Sequence, residues 1–141
     1  MGAEMTSMRR LCAAALLSCL WLPTAAGAAD PSGWTPAAWA KEDTLDLATN
    51  VPGEGPYAFP VWLVVLDDQL YVRLGNRAAR RVERSAPRLG VKIAGVRFDG
   101  VRCQPVPDLV PRVAAAMARK YRSDVLIHHF SHPLTCRLVP E

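Results

Sequence analysis

Residues 61–74, VWLVVLDDQLYVRL, decide how this chain folds. Val61 to Leu66 is an unbroken apolar run rich in β-branched side chains, Asp67-Asp68-Gln69 turns the chain, and Leu70-Tyr71-Val72-Arg73-Leu74 returns. Two such runs flanking a short polar turn read as a β-hairpin.

Upstream, Thr44 to Thr49 alternates polar and apolar residues with the period of a half-buried strand. The following NVPGEGP, residues 50–56, reads as a Gly/Pro loop. Within residues 30–43, Thr35 can cap a short helix with Pro36 at its first position and Ala37 to Lys41 continuing it. Trp34 and Trp39 would anchor that helix on the core.

Downstream, Gly75 and Asn76 end the second arm, and Arg77 to Ala86 reads as a short basic helix with Val82 as its main apolar contact. Gly90 opens a second hairpin. Its arms are Val91–Phe98 and Val101–Val106, with a turn expected at Asp99-Gly100, because Asp-Gly between alternating segments is a strong turn signal. From Pro107-Asp108 to about Tyr121, Leu109, Val113, Ala116 and Met117 recur at helical spacing. Residues 122–133 are irregular, and Leu134 to Val139 alternates as a closing strand. The pattern is mainly β, with six strands and three short helices in one domain.

The amino terminus carries a different message. Arg9 and Arg10 precede the apolar run LCAAALLSCLWL, Pro23 breaks it, and Ala26 and Ala28 have the small-residue spacing of a cleavage site. Residues 1–28 therefore read as a signal peptide, 29–43 as an N-terminal segment and 44–141 as the main domain. The run is shorter than the roughly 20 residues of a membrane-spanning helix, so no span is expected in the mature chain. Leu16-Leu17-Ser18-Cys19 loosely matches a lipidation box, but the residues after Cys19 stay apolar. A secreted or periplasmic soluble product is expected, with lipid anchoring at Cys19 the alternative.

Of the 17 Lys+Arg and 13 Asp+Glu, the leader takes Arg9, Arg10 and Glu4, leaving 15 and 12 and a net charge of +3. The charge is uneven. Nine basic residues between Arg73 and Arg102 face only Glu83 and Asp99. That zone suggests a small anionic ligand rather than nucleic acid, which an exported chain rarely meets; a merely solvated basic face is the competing reading. Cys103 and Cys136 are the cysteines left after the leader, and in an oxidising compartment they are expected to pair. Closing a loop of that size contributes about 3 kcal/mol on the chain-entropy model. Two cysteines alone cannot hold structural zinc.

Thr44 to Pro140 resembles the FMN-binding split-barrel superfamily, the pyridoxamine-phosphate oxidase fold, and more narrowly an uncharacterised bacterial branch of it. The resemblance is carried by the Pro60-Val61-Trp62 strand entry, the hairpin VWLVVLDDQLYVR and the basic helix Asn76 to Arg84. The second hairpin ending Gln104-Pro105-Val106, then Ala118-Arg119-Lys120-Tyr121 and the final TCRLVP strand, complete it. It implies a single six-stranded antiparallel split β-barrel and a homodimer with its sites between subunits. The cofactor it implies is FMN or a related flavin, with haem in some members. A flavin phosphate would meet Arg73, Asn76, Arg77, Arg80, Arg81 and Lys92. Arginine forks grip phosphate oxygens two at a time, and a helix N-terminus adds backbone donors. The function implied is an exported cofactor-binding domain, a flavin-dependent oxidoreductase; the alternative is a cofactor-free binding or structural module.

Other constellations are weaker. His128, His129 and His132 have spacings that would share a metal or haem iron on a helix, but Pro133 favours a loop, and no metal site is expected. No Gly-x-Ser-x-Gly elbow or CxxC pair occurs, and Asp67-Asp68 sits on a turn, so no catalytic residue is assigned. Tyr57, Phe59 and Trp62 could wall a ring-shaped ligand or simply pack in the core and dimer interface.

Overall fold

The computed structural model describes residues 33–122 and 131–141; residues 1–32, where the signal peptide is expected, and 123–130, with His128 and His129, lie outside them. Six antiparallel strands close into one barrel in the order β1-β2-β3-β6-β5-β4. They are β1 (Thr44–Val51), β2 (Gly55–Leu66), β3 (Gln69–Leu74), β4 (Leu89–Ile93), β5 (Val96–Pro105) and β6 (Leu134–Pro140). Two helices accompany them, α1 (Asn76–Arg84) and α2 (Val110–Lys120). The short helix expected after Thr35 is a 3-10 turn over Pro36–Trp39, and Thr35 makes no side-chain cap bond.

Alternation along the strands fills the barrel. Leu45 and Leu47 of β1, Leu63 of β2, and Leu70, Val72 and Leu74 of β3 are buried with Val91, Ile93, Phe98, Val101 and Leu138. The opposite face of β2 and β3 is covered by α2, whose Val113, Ala116 and Met117 pack on Val64 and Tyr71. At the end of α2, the Tyr121 hydroxyl lies 2.7 Å from both Leu63 O and Asp43 O, which share its one hydrogen, and accepts from Leu63 N at 3.1 Å. Its ring stacks on Trp62, with centroids 4.6 Å apart. Lys120 Nζ donates to Glu42 O and Leu63 O. Burial lowers the Lys120 pKa and raises that of Tyr121.

The β2–β3 hairpin turns on Asp67 and Asp68, both with positive φ (49° and 56°), as a two-residue primed turn requires. Neither carboxylate is merely solvated. Asp68 Oδ1 accepts from Ala37 N at 3.0 Å, tying the turn to the 3-10 segment, and Asp67 pairs with Arg112 of α2 at 2.7 Å.

Two sequence expectations are corrected. The second hairpin turns at Ala94-Gly95, where φ is 49° and 79°, and not at Asp99-Gly100. Ile93 faces Val96 across that turn, while Asp99-Gly100 lies within β5 where the β4–β5 register slips between Leu89 and Val91. Gly100 keeps its positive φ of 76° as a bulge residue. Gly90 sits opposite, where an added Cβ would lie 3.1 Å from Ala48 Cβ and 3.4 Å from Asp99 Oδ1. The second correction concerns residues 55–60, which continue β2 and pair with β1 from Asn50↔Pro56 to Asp46↔Pro60. Asn50 turns its own N–H and C=O towards Ser85 and Ala86, away from β2. Pro56 thus has its missing N–H on the other edge, and Pro60 shares its parity. That edge is free because β3 pairs with β2 only from Leu63 onward.

Cys103 and Cys136 form a disulfide, with Cα atoms 5.5 Å apart and a sequence separation of 33. It joins β5 to β6 beside the end of the barrel that α1 covers.

Candidate functional site

The helix α1 starts after Gly75, an extended N-cap with no side-chain cap bond, and ends where Ser85 turns extended. Its composition, NRAARRVER, gives only Ala79 for full burial, with Ala78 and Val82 packed beside it. Helix packing here depends less on apolar area than on hydrogen bonding, and Arg81 supplies it. Its Nε donates to Thr49 Oγ1 at 2.9 Å, Nη1 to Glu54 Oε2 at 2.9 Å and Nη2 to Gly55 O at 3.4 Å. The guanidinium also lies 4.7 Å from the centre of the Tyr57 ring. The buried Thr49 hydroxyl completes the set by donating to Tyr57 O at 3.1 Å.

Glu54, in the β1–β2 turn, receives a second cation, Arg84, on its other carboxylate oxygen. The hydrogen bond from Arg84, with that from Arg81, holds the Glu54 carboxyl below the usual glutamate range. Glu54 is thus a clasp across two turns of α1.

Between α1 and the start of β2 lies a cleft of about 600 Å³, lined by Glu54, Tyr57, Phe59, Arg77, Ala78, Arg80, Arg81 and Arg84. The volume suits a drug-sized or cofactor-sized ligand. Tyr57 is 57% exposed, and its ring lies tilted against Phe59 at 6.0 Å. Among the described residues, Arg77 and Arg80 have no ion-pair or hydrogen-bond partner, so their donors are available where those of Arg81 are committed.

The residues singled out from sequence divide accordingly. Arg77, Arg80 and Arg81 line one cleft, on the flank of α1 and not over its N-terminus. Asn76 is exposed at the first position of α1 and is not a lining residue. Arg73 sits half-buried on β3, and Lys92 is exposed on β4 opposite Asp46 and Arg97; neither reaches the cleft lining. Sequence reasoning missed Glu54, Arg84 and Thr49. Only Arg84 carried a signal, its place one helical turn beyond Arg80 and Arg81. Among the described residues no three His, Cys, Asp or Glu side chains gather as a metal site, and no helix is long and apolar enough to cross a membrane.

No protein-family model and no curated protein sequence matches the chain. Solved structures do. HutZ, the heme storage protein from Vibrio cholerae, superposes with a TM-score of 0.58 at 21% identity, over 74% of this chain and 87% of HutZ. Atu2129 from Agrobacterium tumefaciens, a protein of unknown function, gives 0.61 at 22% identity over 74% of this chain; the match spans 53% of that protein. What the chain shares with both is the fold, which here is a closed six-stranded antiparallel barrel. At these identities the likeness concerns the barrel and not its ligand.

Proposed function

We propose that this chain is an exported split-barrel domain that holds a planar, anionic cofactor of the flavin kind between α1 and β2, in the service of oxidoreductase chemistry. The observation that carries the proposal is the pairing of two unengaged guanidiniums, Arg77 and Arg80, with an aromatic wall of Tyr57 and Phe59 in one cleft. Arg77 and Arg80 would take the phosphate, because a phosphate matches the arginine fork and is the charge this basic flank lacks. Phe59 and the edge of Tyr57 would lie along the ring, and Arg81, fully bonded, would keep α1 at its distance from β2. A bound flavin would supply the electron-accepting ring. The Cys103–Cys136 bridge supports an oxidising compartment and with it the reading of residues 1–28 as a leader. The subunit pairing implied by the split-barrel resemblance belongs to the same proposal.

Haem is the second reading, favoured by the likeness to a heme storage protein. It too is planar, and its carboxylates would meet the same arginines.

Absorbance of the purified protein, alone and titrated with FMN and with haemin, tests both. Flavin bands near 370 and 450 nm (roughly), weakened by Arg77→Ala and Arg80→Ala, support the first reading; a Soret band supports the second. Each arginine should change affinity about tenfold or more, the scale of a hydrogen bond to a charged group. A protein that stays colourless with both ligands overturns the proposal in favour of a cofactor-free module.

A further inference from the structure

Buried polar side-chain atoms in a folded protein nearly always have a hydrogen-bond partner, and an exception marks strain or a missing ligand. Among the described residues three such atoms lack one: Arg73 Nε, Thr135 Oγ1 and Arg137 Nε. They are not scattered. Arg73 of β3 is the direct register partner of Thr135 of β6, and Arg137 lies two residues along β6 on the same face. Directly opposed residues on a sheet face have Cβ atoms about 5 Å apart and diagonal ones about 7–8 Å, so both guanidiniums and the hydroxyl share one small patch.

The patch faces outward, since Val72, Leu74, Cys136 and Leu138 take the inward positions of the same strands. Neither β3, QLYVRL, nor β6, LTCRLVP, contains an acidic residue. Thr135 is 5% exposed, so water has little access to its hydroxyl. Arg137 is held by its Nη2, which donates to Gln104 Oε1 at 2.7 Å, while its Nε is without a partner. Two cations placed diagonally with no counter-charge repel, and leaving their inner N–H groups dry adds a desolvation cost.

We propose that Arg73, Thr135 and Arg137 form a second anion site, on the outer face of β3 and β6, that takes a small oxyanion such as a phosphate or carboxylate group. It is separate from the α1 cleft, which none of the three lines. An oxyanion accepts from both Nε–H groups and from the threonine hydroxyl at once, which satisfies every orphan and offsets the repulsion of the pair. No single neutral group does both.

Calorimetric titration of the full oxidised protein with inorganic phosphate, and separately with acetate, tests this. Binding of either that persists in the Arg77→Ala/Arg80→Ala variant supports the site, and the preferred ion names the chemical group. Arg73→Gln and Arg137→Gln should each weaken it about tenfold or more, and Thr135→Val by less. Arg73→Lys keeps the charge but not the fork and should fall between, which separates binding from folding. Because Arg77 and Arg80 would themselves take phosphate in the cleft, the double variant Arg77→Ala/Arg80→Ala should lose only that share of the binding and keep the share that Arg73→Gln and Arg137→Gln weaken, so the two proposals are read apart. Wild-type affinity retained in Arg73→Gln and Arg137→Gln, or lost in the Arg77/Arg80 variant instead, overturns the inference. So does dissociation of a dimer by Arg137→Gln with no ion binding by the wild type, since the orphans would then serve a second copy of this chain.

Discussion

The two ends of the barrel are closed by opposite chemistry. At the end of the Asp67-Asp68 turn, Trp34, Trp39 and Phe98 meet edge to face, with centroids 5.0 to 5.5 Å apart, and Trp39 and Phe98 are buried. At the other end α1 contributes one fully buried alanine and a polar lattice of Arg81, Thr49, Glu54 and Arg84. Apolar rings pack to the density of an interior and leave no room. Guanidiniums keep their distance, need partners and tolerate water, so the end they close retains a cleft. The dense aromatic packing lies at one end and the candidate site at the other.

The sharpest way to break this contrast is Phe98→Ala. It removes the ring both tryptophans lean on and should cost about 3–5 kcal/mol, as for a fully buried aromatic, read as a lower midpoint in urea unfolding. A loss under about 1 kcal/mol would mean the aromatic end is not the anchor. Arg81→Ala comes next, at about 1–3 kcal/mol, because it strips the buried Thr49 hydroxyl and the Glu54 clasp of a donor. The same measurement on Arg77→Ala should show less than about 0.5 kcal/mol, as for an exposed side chain without partners; equal losses would erase the distinction between a structural and an available arginine. Smallest is a pH effect. The Glu54 pKa is lowered in the fold, so its contribution is present above the ordinary glutamate pKa and is lost as pH falls through the lower folded value. Unfolding followed from pH 6 down to pH 2 (roughly) should show that part of the acid destabilisation missing from Glu54→Gln. Identical profiles would remove Glu54 from the clasp.

Much of the barrel was legible in the chain because strand burial is a local, period-two property. Strands such as β1 and β6 follow from alternation, the β2–β3 hairpin from two apolar runs about Asp67-Asp68, α2 from helical spacing, and the Cys103–Cys136 pair from its being the remainder after the expected leader. The errors share one cause. Asp99-Gly100 and Ala94-Gly95 both suit positive φ, and only the pairing of β4 with β5 chooses which pair turns and which bulges. Pro56 and Pro60 argue against a strand until it is known that their edge of β2 is free.

The candidate site divides in the same way. The basic helix was visible as composition, and its arginines are equivalent in sequence. Their inequality is tertiary. Registering β1 on β2 puts Thr49 and Glu54 beneath α1, which consumes Arg81 and Arg84 and leaves Arg77 and Arg80 facing Tyr57 and Phe59. Pairing β3 with β6 likewise sets Arg73 beside Thr135 and Arg137, residues more than sixty positions apart. The amino-acid sequence by itself determined the strands, the turn chemistry and the supply of positive charge, because each depends on neighbours along the chain. Which charges are neutralised, and which remain to meet a ligand, only the closed barrel decided, because partners for a guanidinium are brought by strand register and not by sequence proximity.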